Sequence, residues 1–304
     1  MSSSSPSASA RIRLGSAPDS WGVWFPEDPR QTGWERFLDE VAEAGYEWIE
    51  LGPYGYLPTD PVRLAEETGR RGLKVSAGTV FTGLHHGPAV WEQTWEHVSR
   101  IAGLTRATGA GHLVVIPSFW RDDKTGAVLE DSELTTEQWR LLARQTERLG
   151  REVRDRYGLR IVVHPHADTH IDTPEHVARF LDATDPELVS LCLDTGHYAY
   201  CGGDSVKLIE TYGERLGYLH LKQVDPRILA EVVADGVPFG PAVARGVMCE
   251  PPGGVPDLEP VLAAARALGT ELFAIVEQDM YPCPPDRPLP IARRTRTYLR
   301  SCGL

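Results

Sequence analysis

Four short apolar segments in the second half of the chain end in side chains that can bind a metal ion or transfer a proton. These side chains are His164 and His166, Asp194, His220 and Lys222, and Glu277. Apolar segments of this length that alternate with helical stretches are typical of parallel strands buried on both faces. If the strands close into a barrel, their carboxyl ends form one rim, where barrels of this kind have their active sites. The sequence therefore indicates a metal-dependent enzyme.

Asp194, His220 and Glu277 end three successive predicted strands, and we expect them to bind one divalent cation. Carboxylate oxygen and imidazole nitrogen together favour Mn, Co, Fe or Zn over Mg. A fourth ligand should come from the preceding strand, where His164 and His166 are two residues apart and share a face. One imidazole can bind the ion while the other orients substrate or moves a proton, and the spacing leaves both assignments open.

Other side chains near the strand ends are expected to contact a small-molecule substrate. Lys222 shares a face with His220 and can polarise a carbonyl group or stabilise an enolate. His197 either contacts a substrate hydroxyl or packs at the start of a helix. The aromatic residues near the first two strands either form a pocket wall or lie loosely at the surface. The predicted substrate contacts are Glu50, His197, Trp21, Trp24 and Gln278.

The elements that must position these residues can be read along the chain. Eight apolar stretches predict strands at 11–17, 47–52, 73–80, 111–117, 159–165, 189–195, 216–222 and 271–278. A helical stretch follows each of them, which predicts a (β/α)8 TIM barrel, an α/β fold. The alternative is a doubly wound open sheet, but the chain after the first strand lacks the Gly-rich phosphate turn typical of that fold. The long, proline-containing connection 224–257 is expected to be a lid or binding loop.

Composition limits the possible partners and compartments. The chain has 304 residues, a net charge of −12 and five irregularly spaced cysteines. The net negative charge argues against nucleic acid or an anionic membrane as the main partner. The odd number and irregular spacing of the cysteines favour reduced thiols in a cytoplasm. Residues 1–10 are polar and of low complexity, so we expect them to be disordered. We expect residues 11–304 to form one domain, and a homo-oligomer is compatible with such a barrel.

Several segments resemble the xylose isomerase-like barrel superfamily and, within it, the inosose dehydratase (2-keto-myo-inositol dehydratase) group. The resemblance covers residues 11–300 and rests on segments 17–22, 44–52, 164–169, 193–197, 220–222, 238–246 and 277–279. It implies a divalent metal bound by a strand-five residue together with Asp194, His220 and Glu277. Many epimerases and isomerases of the superfamily have glutamate at the strand-five position, which aligns here with His164. Gln223 also departs from the dehydratases, which commonly have Asp after the lysine.

The resemblance implies chemistry that begins with removal of a proton beside a carbonyl group to give an enediolate. Dehydration of a keto-cyclitol such as 2-keto-myo-inositol is the expected outcome, with His166, Lys222 and Glu277 as the residues that move protons. Isomerisation or epimerisation of a keto-sugar is the main alternative, because the same intermediate can take its proton back elsewhere. A sugar-binding barrel without catalysis is a further alternative. A repair endonuclease fits less well, because it would need a basic surface facing DNA.

Overall fold

A computed structural model describes residues 11–304 of the chain. Eight parallel strands form a closed barrel in the order β1-β10-β7-β6-β5-β4-β3-β2, with β2 next to β1. The barrel strands are β1 (Ile12–Ser16), β2 (Trp48–Glu50), β3 (Lys74–Thr82), β4 (His112–Pro117), β5 (Arg160–Val163), β6 (Val189–Asp194), β7 (Leu216–Leu221) and β10 (Leu272–Val276). All eight predicted strands are confirmed, as is the TIM barrel. Two further strands, β8 (Gln223–Val224) and β9 (Met248–Cys249), pair antiparallel at the rim.

Helices cover the outside of the barrel and connect its strands. Within the described residues they are α1 (Trp34–Glu43), α2 (Pro61–Gly69), α3 (Trp91–Ala107), α4 (Thr136–Tyr157), α5 (Pro174–Asp182), α6 (Thr195–Tyr200), α7 (Ser205–Tyr212), α8 (Pro226–Ala234), α9 (Phe239–Ala244), α10 (Leu258–Ala267) and α11 (Pro288–Ser301). Short 3₁₀ helices occupy Pro18–Trp21, Leu84–Val90 and Gly213–Arg215.

Local sequence signals explain where several helices begin. Asp60 and Thr173 each accept a hydrogen bond from a backbone N–H of the first turn, and a proline follows each of them. Such caps satisfy backbone donors that have no partner within the helix. Thr135 and Gln138 form a reciprocal capping box at the start of α4. These signals fix where α2, α4 and α5 begin, and therefore how long the connections are that follow β2, β4 and β5.

Apolar residues of the strands bury their side chains between the barrel and the helices. The six residues of β6 and the six residues of β7 are all buried, as are the five residues of β10. Fully buried strands explain why these segments are almost continuously apolar instead of alternating. Parallel pairing in register brings the carboxyl ends of β5, β6, β7 and β10 to the same rim.

The connection 224–257 differs from the predicted loop. It contains α8, α9 and strand β9, and its apolar residues form a separate buried cluster that includes Val232, Phe239 and Met248. Burial of this apolar surface stabilises regular structure in the segment. The segment still reaches the rim, because Phe239 lines the central cavity. It is therefore a folded wall of the cavity, and not an irregular loop.

Other predictions concern the ends of the chain, the cysteines and membrane insertion. The predicted disorder of residues 1–10 lies outside the described residues, and the assignment of 11–304 to one domain stays a prediction. All five cysteines are free thiols. Among the described residues, no helix combines the length and the apolar character that crossing a membrane requires.

Candidate functional site

The four side chains predicted to bind a metal come together at the carboxyl rim of the barrel. One ligand atom from each of His164, Asp194, His220 and Glu277 lies within 4.8 Å of the others. His164 Nε2 is 3.3 Å from Asp194 Oδ2, and His220 Nδ1 is 3.0 Å from Glu277 Oε2. Bonds of about 2.0–2.1 Å to a tetrahedral ion would place neighbouring ligand atoms about 3.3 Å apart. The spacing therefore suits a divalent ion, and the assignment of these residues as ligands stays a prediction.

The orientation of His220 is the clearest sign of a metal ligand. Its Nε2 lies 2.6 Å from Glu50 Oε1, and Thr79 donates a hydrogen bond to the other Glu50 oxygen. Its Nδ1 is buried and makes no well-oriented hydrogen bond with any of the described residues, although it lies 3.0 Å from Glu277 Oε2 and 3.7 Å from Asp194 Oδ2. Histidine ligands commonly donate their other ring N–H to a carboxylate in this way. The residues present therefore fit a metal ion at Nδ1.

Lys222 lies beside the same carboxylates and is fully buried. Its Nζ is 3.2 Å from Asp194 Oδ2, 3.1 Å from Glu277 Oε2 and 2.7 Å from Asp279 Oδ2. Burial opposes the charged form of the amine, but the charges of Asp194, Asp279 and Glu277 outweigh it and raise the pKa of Lys222 well above its usual value. The amine is therefore protonated at neutral pH and can stabilise developing negative charge.

The carboxyl groups around Lys222 differ in the direction in which their pKa values are shifted. Burial opposes ionisation of Glu277, but His220 and Lys222 outweigh it and lower the pKa of Glu277 to about 2. Burial, followed by the charge of Glu277, raises the pKa of Asp19 well above its usual value. Burial also raises the pKa of Asp279, and Lys222 offsets this only in part. The excess of acidic groups over ammonium charge is a further reason why a cation would be stabilised here.

His166 and His197 pack beside the predicted ligand His164. The rings of His166 and His197 are 3.6 Å apart between centroids, and His164 lies 5.5 Å from His166. Burial lowers the pKa of His166 to about 3 and the pKa of His197 well below its usual value. Both rings are therefore neutral near pH 7. His166 Nδ1 lies 2.7 Å from the carbonyl oxygen of Ala167, an arrangement in which Nδ1 donates and Nε2 keeps a free lone pair.

These side chains face a cavity with a volume of about 570 Å³. This is within the range of about 300–1,000 Å³ that is typical of small-molecule sites. Its inner end carries the histidines, Lys222 and the carboxyl groups, whereas its outer part is lined by apolar and aromatic residues that include Phe81, Phe119 and Leu129. The cavity can therefore hold a polar ring against the charged end, with apolar groups toward the opening.

Trp24 and Phe239 form one wall beside the histidines. Trp24 Nε1 donates a hydrogen bond of 3.2 Å to Asp279, and the indole stacks on Tyr281 with a centroid distance of 5.1 Å. The ring of Phe239 lies 4.8 Å from His197 and 5.1 Å from His166. The Phe239 N–H donates to Asp168, which also pairs with Arg121. The wall thus connects the segment after β7 to the loops after β4 and β5.

Two of the predicted substrate contacts, Trp21 and Gln278, do not line the cavity. Trp21 is fully buried outside the cavity, where it packs on Phe37 and donates a hydrogen bond of 2.9 Å to Glu40. This position does not support Trp21 as a substrate contact, because the turn at Pro18–Trp21 directs its ring toward α1. Gln278 is buried and is not among the residues that line the cavity.

The remaining predicted contacts line the cavity, and each of them already has a polar partner. Both oxygens of Glu50 are engaged, by His220 and Thr79. His197 accepts a hydrogen bond from the Ala167 N–H at Nδ1, and its Nε2 lies 3.2 Å from Lys222 Nζ. Trp24 lies in the cavity wall, one of the two positions that the sequence left open, and donates to Asp279. Glu50 and His197 therefore orient other site residues in this structure.

Some residues of the site were not singled out from the sequence. Asp19 and Asp279 line the cavity next to Lys222. Asp279 is two residues after Glu277, and this spacing could have indicated that both side chains face the rim. A second cluster of His85, Glu130 and His170 also lies within metal-binding distance. No periodicity connects its three segments, so the sequence carries no local signal for it.

Comparison with known proteins identifies the family of the chain. Residues 38–302 match the family model described as xylose isomerase-like TIM barrel. The chain is 31% identical to an inosose dehydratase from Geobacillus thermodenitrificans over 299 residues, which covers 97% of this chain and 98% of the relative. The predictions of the family and of an enzyme are thereby confirmed.

Solved structures show the same fold. The IOLI protein, whose crystal structure has a zinc atom bound, has a TM-score of 0.70 at 15% identity and covers 95% of this chain and 98% of its own. A probable 3-DHS dehydratase, AsbF from Bacillus anthracis, has a TM-score of 0.70 at 14% identity and covers 95% of this chain and 99% of its own. With its closed barrel and its match across residues 38–302, the chain belongs to the xylose isomerase-like TIM barrel family.

Proposed function

We propose that this protein is a metal-dependent dehydratase that removes water from a keto-cyclitol such as 2-keto-myo-inositol. The observation that carries the proposal is the orientation of the His220 ring. Glu50 engages its Nε2. Its Nδ1 has no well-oriented hydrogen bond among the described residues and lies beside the carboxylates of Asp194 and Glu277. Lys222 lies next to this group and provides a positive charge at the same end of the cavity. The relative named inosose dehydratase, which is similar over nearly its whole length, supports this substrate class.

A divalent ion in the site would be held by His164, Asp194, His220 and Glu277, with Mn, Co, Fe and Zn as the ions that suit this donor set. When bound, such an ion acts as a Lewis acid on a carbonyl oxygen and makes the adjacent C–H bond more acidic. Glu50 and Thr79 keep the ring of His220 in one orientation. Ligands that are held in place in this way give a site that needs little rearrangement when it binds.

His166 is the proposed acid–base group. Its Nε2 has no hydrogen-bond partner among the described residues, and burial keeps the ring neutral near pH 7. The lone pair of Nε2 can therefore accept the proton from the carbon beside the substrate carbonyl. The oxygens of Glu277 lie beside His220 and Lys222, and its pKa is lowered to about 2. Because its oxygens are directed at His220 and Lys222, Glu277 acts mainly as a ligand.

Lys222 stabilises the negative charge that this proton removal leaves on the carbonyl oxygen. The electron pair of the broken C–H bond then forms the new C=C bond as the β-hydroxyl group leaves. His166 returns its proton to the leaving oxygen, so the substrate loses one water molecule and the protein returns to its starting state. The polar inner end of the cavity would bind the hydroxyl groups of the ring, and Trp24 would lie against its apolar face.

The decisive experiment uses the purified full chain with Mn²⁺ or Co²⁺ and a panel of keto-inositols and keto-sugars in deuterated water. Mass spectrometry that shows loss of water from a keto-inositol supports the proposal. Deuterium uptake without loss of water would replace it with isomerisation or epimerisation. Binding without either change would indicate a non-catalytic sugar-binding barrel. His166→Asn should lose the reaction, whereas His176→Asn on α5, outside the cavity, serves as the matched control.

A further inference from the structure

A second group of histidines and a carboxylate lies outside the central cavity. This peripheral cluster consists of His85 in the 3₁₀ helix after β3, Glu130 between β4 and α4, and His170 between β5 and α5. One donor atom from each side chain lies within 4.8 Å of the others. His85 and His170 are each only 1% exposed. The three residues are therefore brought together from three separate loops at the same rim.

The two ring nitrogens of His170 each lie within hydrogen-bond distance of an oxygen. Its Nδ1 is 3.1 Å from the carbonyl oxygen of Ser132, and its Nε2 is 3.1 Å from Glu130 Oε1. A neutral imidazole has one N–H and one lone pair. With the Nδ1–H donated to Ser132, the Nε2 lone pair is directed at Glu130, and a metal cation between them satisfies both groups.

His85 lies against the same carboxylate. Its Nε2 is 3.0 Å from Glu130 Oε2, and its ring centroid is 4.5 Å from that of His170. Both rings are buried, and each directs a nitrogen at Glu130. A single cation between the two rings and the carboxylate can therefore contact all three side chains.

We propose that His85, Glu130 and His170 bind a second divalent ion of the zinc type. Two imidazole nitrogens and one carboxylate oxygen are a ligand set that zinc uses in proteins, with a fourth position for water or another group. His85 Nε2 and His170 Nε2 lie 3.0 and 3.1 Å from different oxygens of Glu130, so the carboxylate lies between the two rings, and one donor atom from each residue lies within 4.8 Å of the others. His86, whose Nε2 is 3.4 Å from Glu130 Oε2, lies in reach of the fourth position.

The Ser132 carbonyl completes the arrangement expected around a metal-bound histidine. Accepting the Nδ1–H of His170 directs the Nε2 lone pair at the ion. None of the three ligands is among the residues that line the cavity. Nearby residues do line it, namely Phe81 near the end of β3 and Phe119 and Leu129 in the connection between β4 and α4. The second ion would therefore hold three loops together and set the position of the apolar outer wall, without contacting substrate.

The test is a count of bound ions. The full chain is stripped with a chelator, loaded with Zn²⁺, dialysed and analysed for metal and protein content. We expect two ions per chain in the natural protein, and one each in Asp194→Asn and in His170→Asn. Glu130→Gln keeps the side-chain shape and should also retain one ion. His176→Asn, which removes a histidine near the cluster but outside it, should retain two. Circular dichroism shows whether each variant is folded.

Two outcomes would overturn the inference. One is a single ion per chain that Asp194→Asn loses and that His170→Asn and Glu130→Gln retain. The other is a second ion whose binding is unchanged by both His170→Asn and Glu130→Gln. The central site is judged separately, since loss of one ion in Asp194→Asn supports it whatever the peripheral variants do. Co²⁺ absorption spectra of the same variants report the geometry of each site independently of activity.

Discussion

The central and the peripheral clusters consist of the same kinds of side chain at the same rim, yet their surroundings differ. Both combine buried imidazoles with carboxylates at distances that suit a divalent ion. Three of the four central residues line a cavity of about 570 Å³ beside Lys222, whereas none of the three peripheral residues lines it. A metal ion can polarise a substrate only where the substrate can reach it. The two clusters thus differ in their access to the cavity and in the nearby positive charge of Lys222, and not in ligand type.

Removing the charge of Asp194 should have the largest effect. Asp194 also accepts hydrogen bonds from the N–H groups of Gly196 and His197 at the start of α6. Asn is as good a helix cap as Asp, so Asp194→Asn changes the metal site while α6 stays capped. We expect turnover to be abolished and the central ion to be lost. The melting temperature of the metal-free protein should also fall, because the buried Lys222 ammonium loses one of its carboxylate partners. Normal metal content and activity in this variant would remove the central cluster from catalysis.

The two histidines after β5 should separate metal binding from proton transfer. His164 belongs to the group of four ligand atoms, whereas His166 does not. We expect His164→Ala to weaken metal affinity by more than about tenfold, because a metal bond is lost. His166→Ala should keep the metal and lower kcat by roughly 10²–10⁴-fold, which is the usual contribution of a general acid or base. Titration with Mn²⁺ alongside steady-state kinetics measures both, and the reverse pattern would exchange the two roles.

The peripheral cluster should affect stability more than turnover. In Asp194→Asn, where the central site is disabled, Zn²⁺ at 100 times its dissociation constant should still stabilise the protein by about 2.7 kcal/mol. This corresponds to a rise in melting temperature of roughly 4 °C for a chain of 304 residues. Adding His170→Asn should remove the rise. Persistence of the shift in the double variant would show that Zn²⁺ stabilises the fold elsewhere.

His112 at the start of β4 shows what burial does to a histidine without a carboxylate beside it. Its ring packs near Tyr218 and Phe273, and burial, followed by the charges of Arg160 and Arg13, lowers its pKa to about 4. Below pH 6.5 the unfolded chain binds a proton that the folded chain excludes until about pH 4. Stability should therefore fall as the pH decreases through this window, by up to about 3 kcal/mol.

Substitution of His112 tests this contribution to acid sensitivity. His112→Asn should reduce the loss of stability between pH 7 and pH 4.5, because the asparagine side chain does not titrate. Denaturant unfolding at both pH values gives the difference in free energy of unfolding for the variant and the natural chain. An equal loss in both proteins would show that His112 titrates freely in the folded state.

The amino-acid sequence was sufficient to predict the barrel and the meeting of the four central side chains. Apolar, β-branched strands buried on both faces leave a continuous hydrophobic signal. Parallel pairing then requires the carboxyl ends to share a rim, so residues that follow these strands must converge. Local pattern and topology therefore account for the convergence of Asp194, His220 and Glu277 with one of the two histidines after β5, whereas the family resemblance indicated which histidine it is.

Only the tertiary structure decided how the other side chains are used. Trp21 and Trp24 are three residues apart, yet the turn at Pro18–Trp21 directs one to α1 and leaves the other in the cavity wall. Glu50 became a partner of His220 because β2 and β7 face each other across the barrel mouth. His85 and His170 lie 45 and 40 residues from Glu130 in loops without periodicity. Such contacts depend on how loops pack, and this is determined by the whole fold.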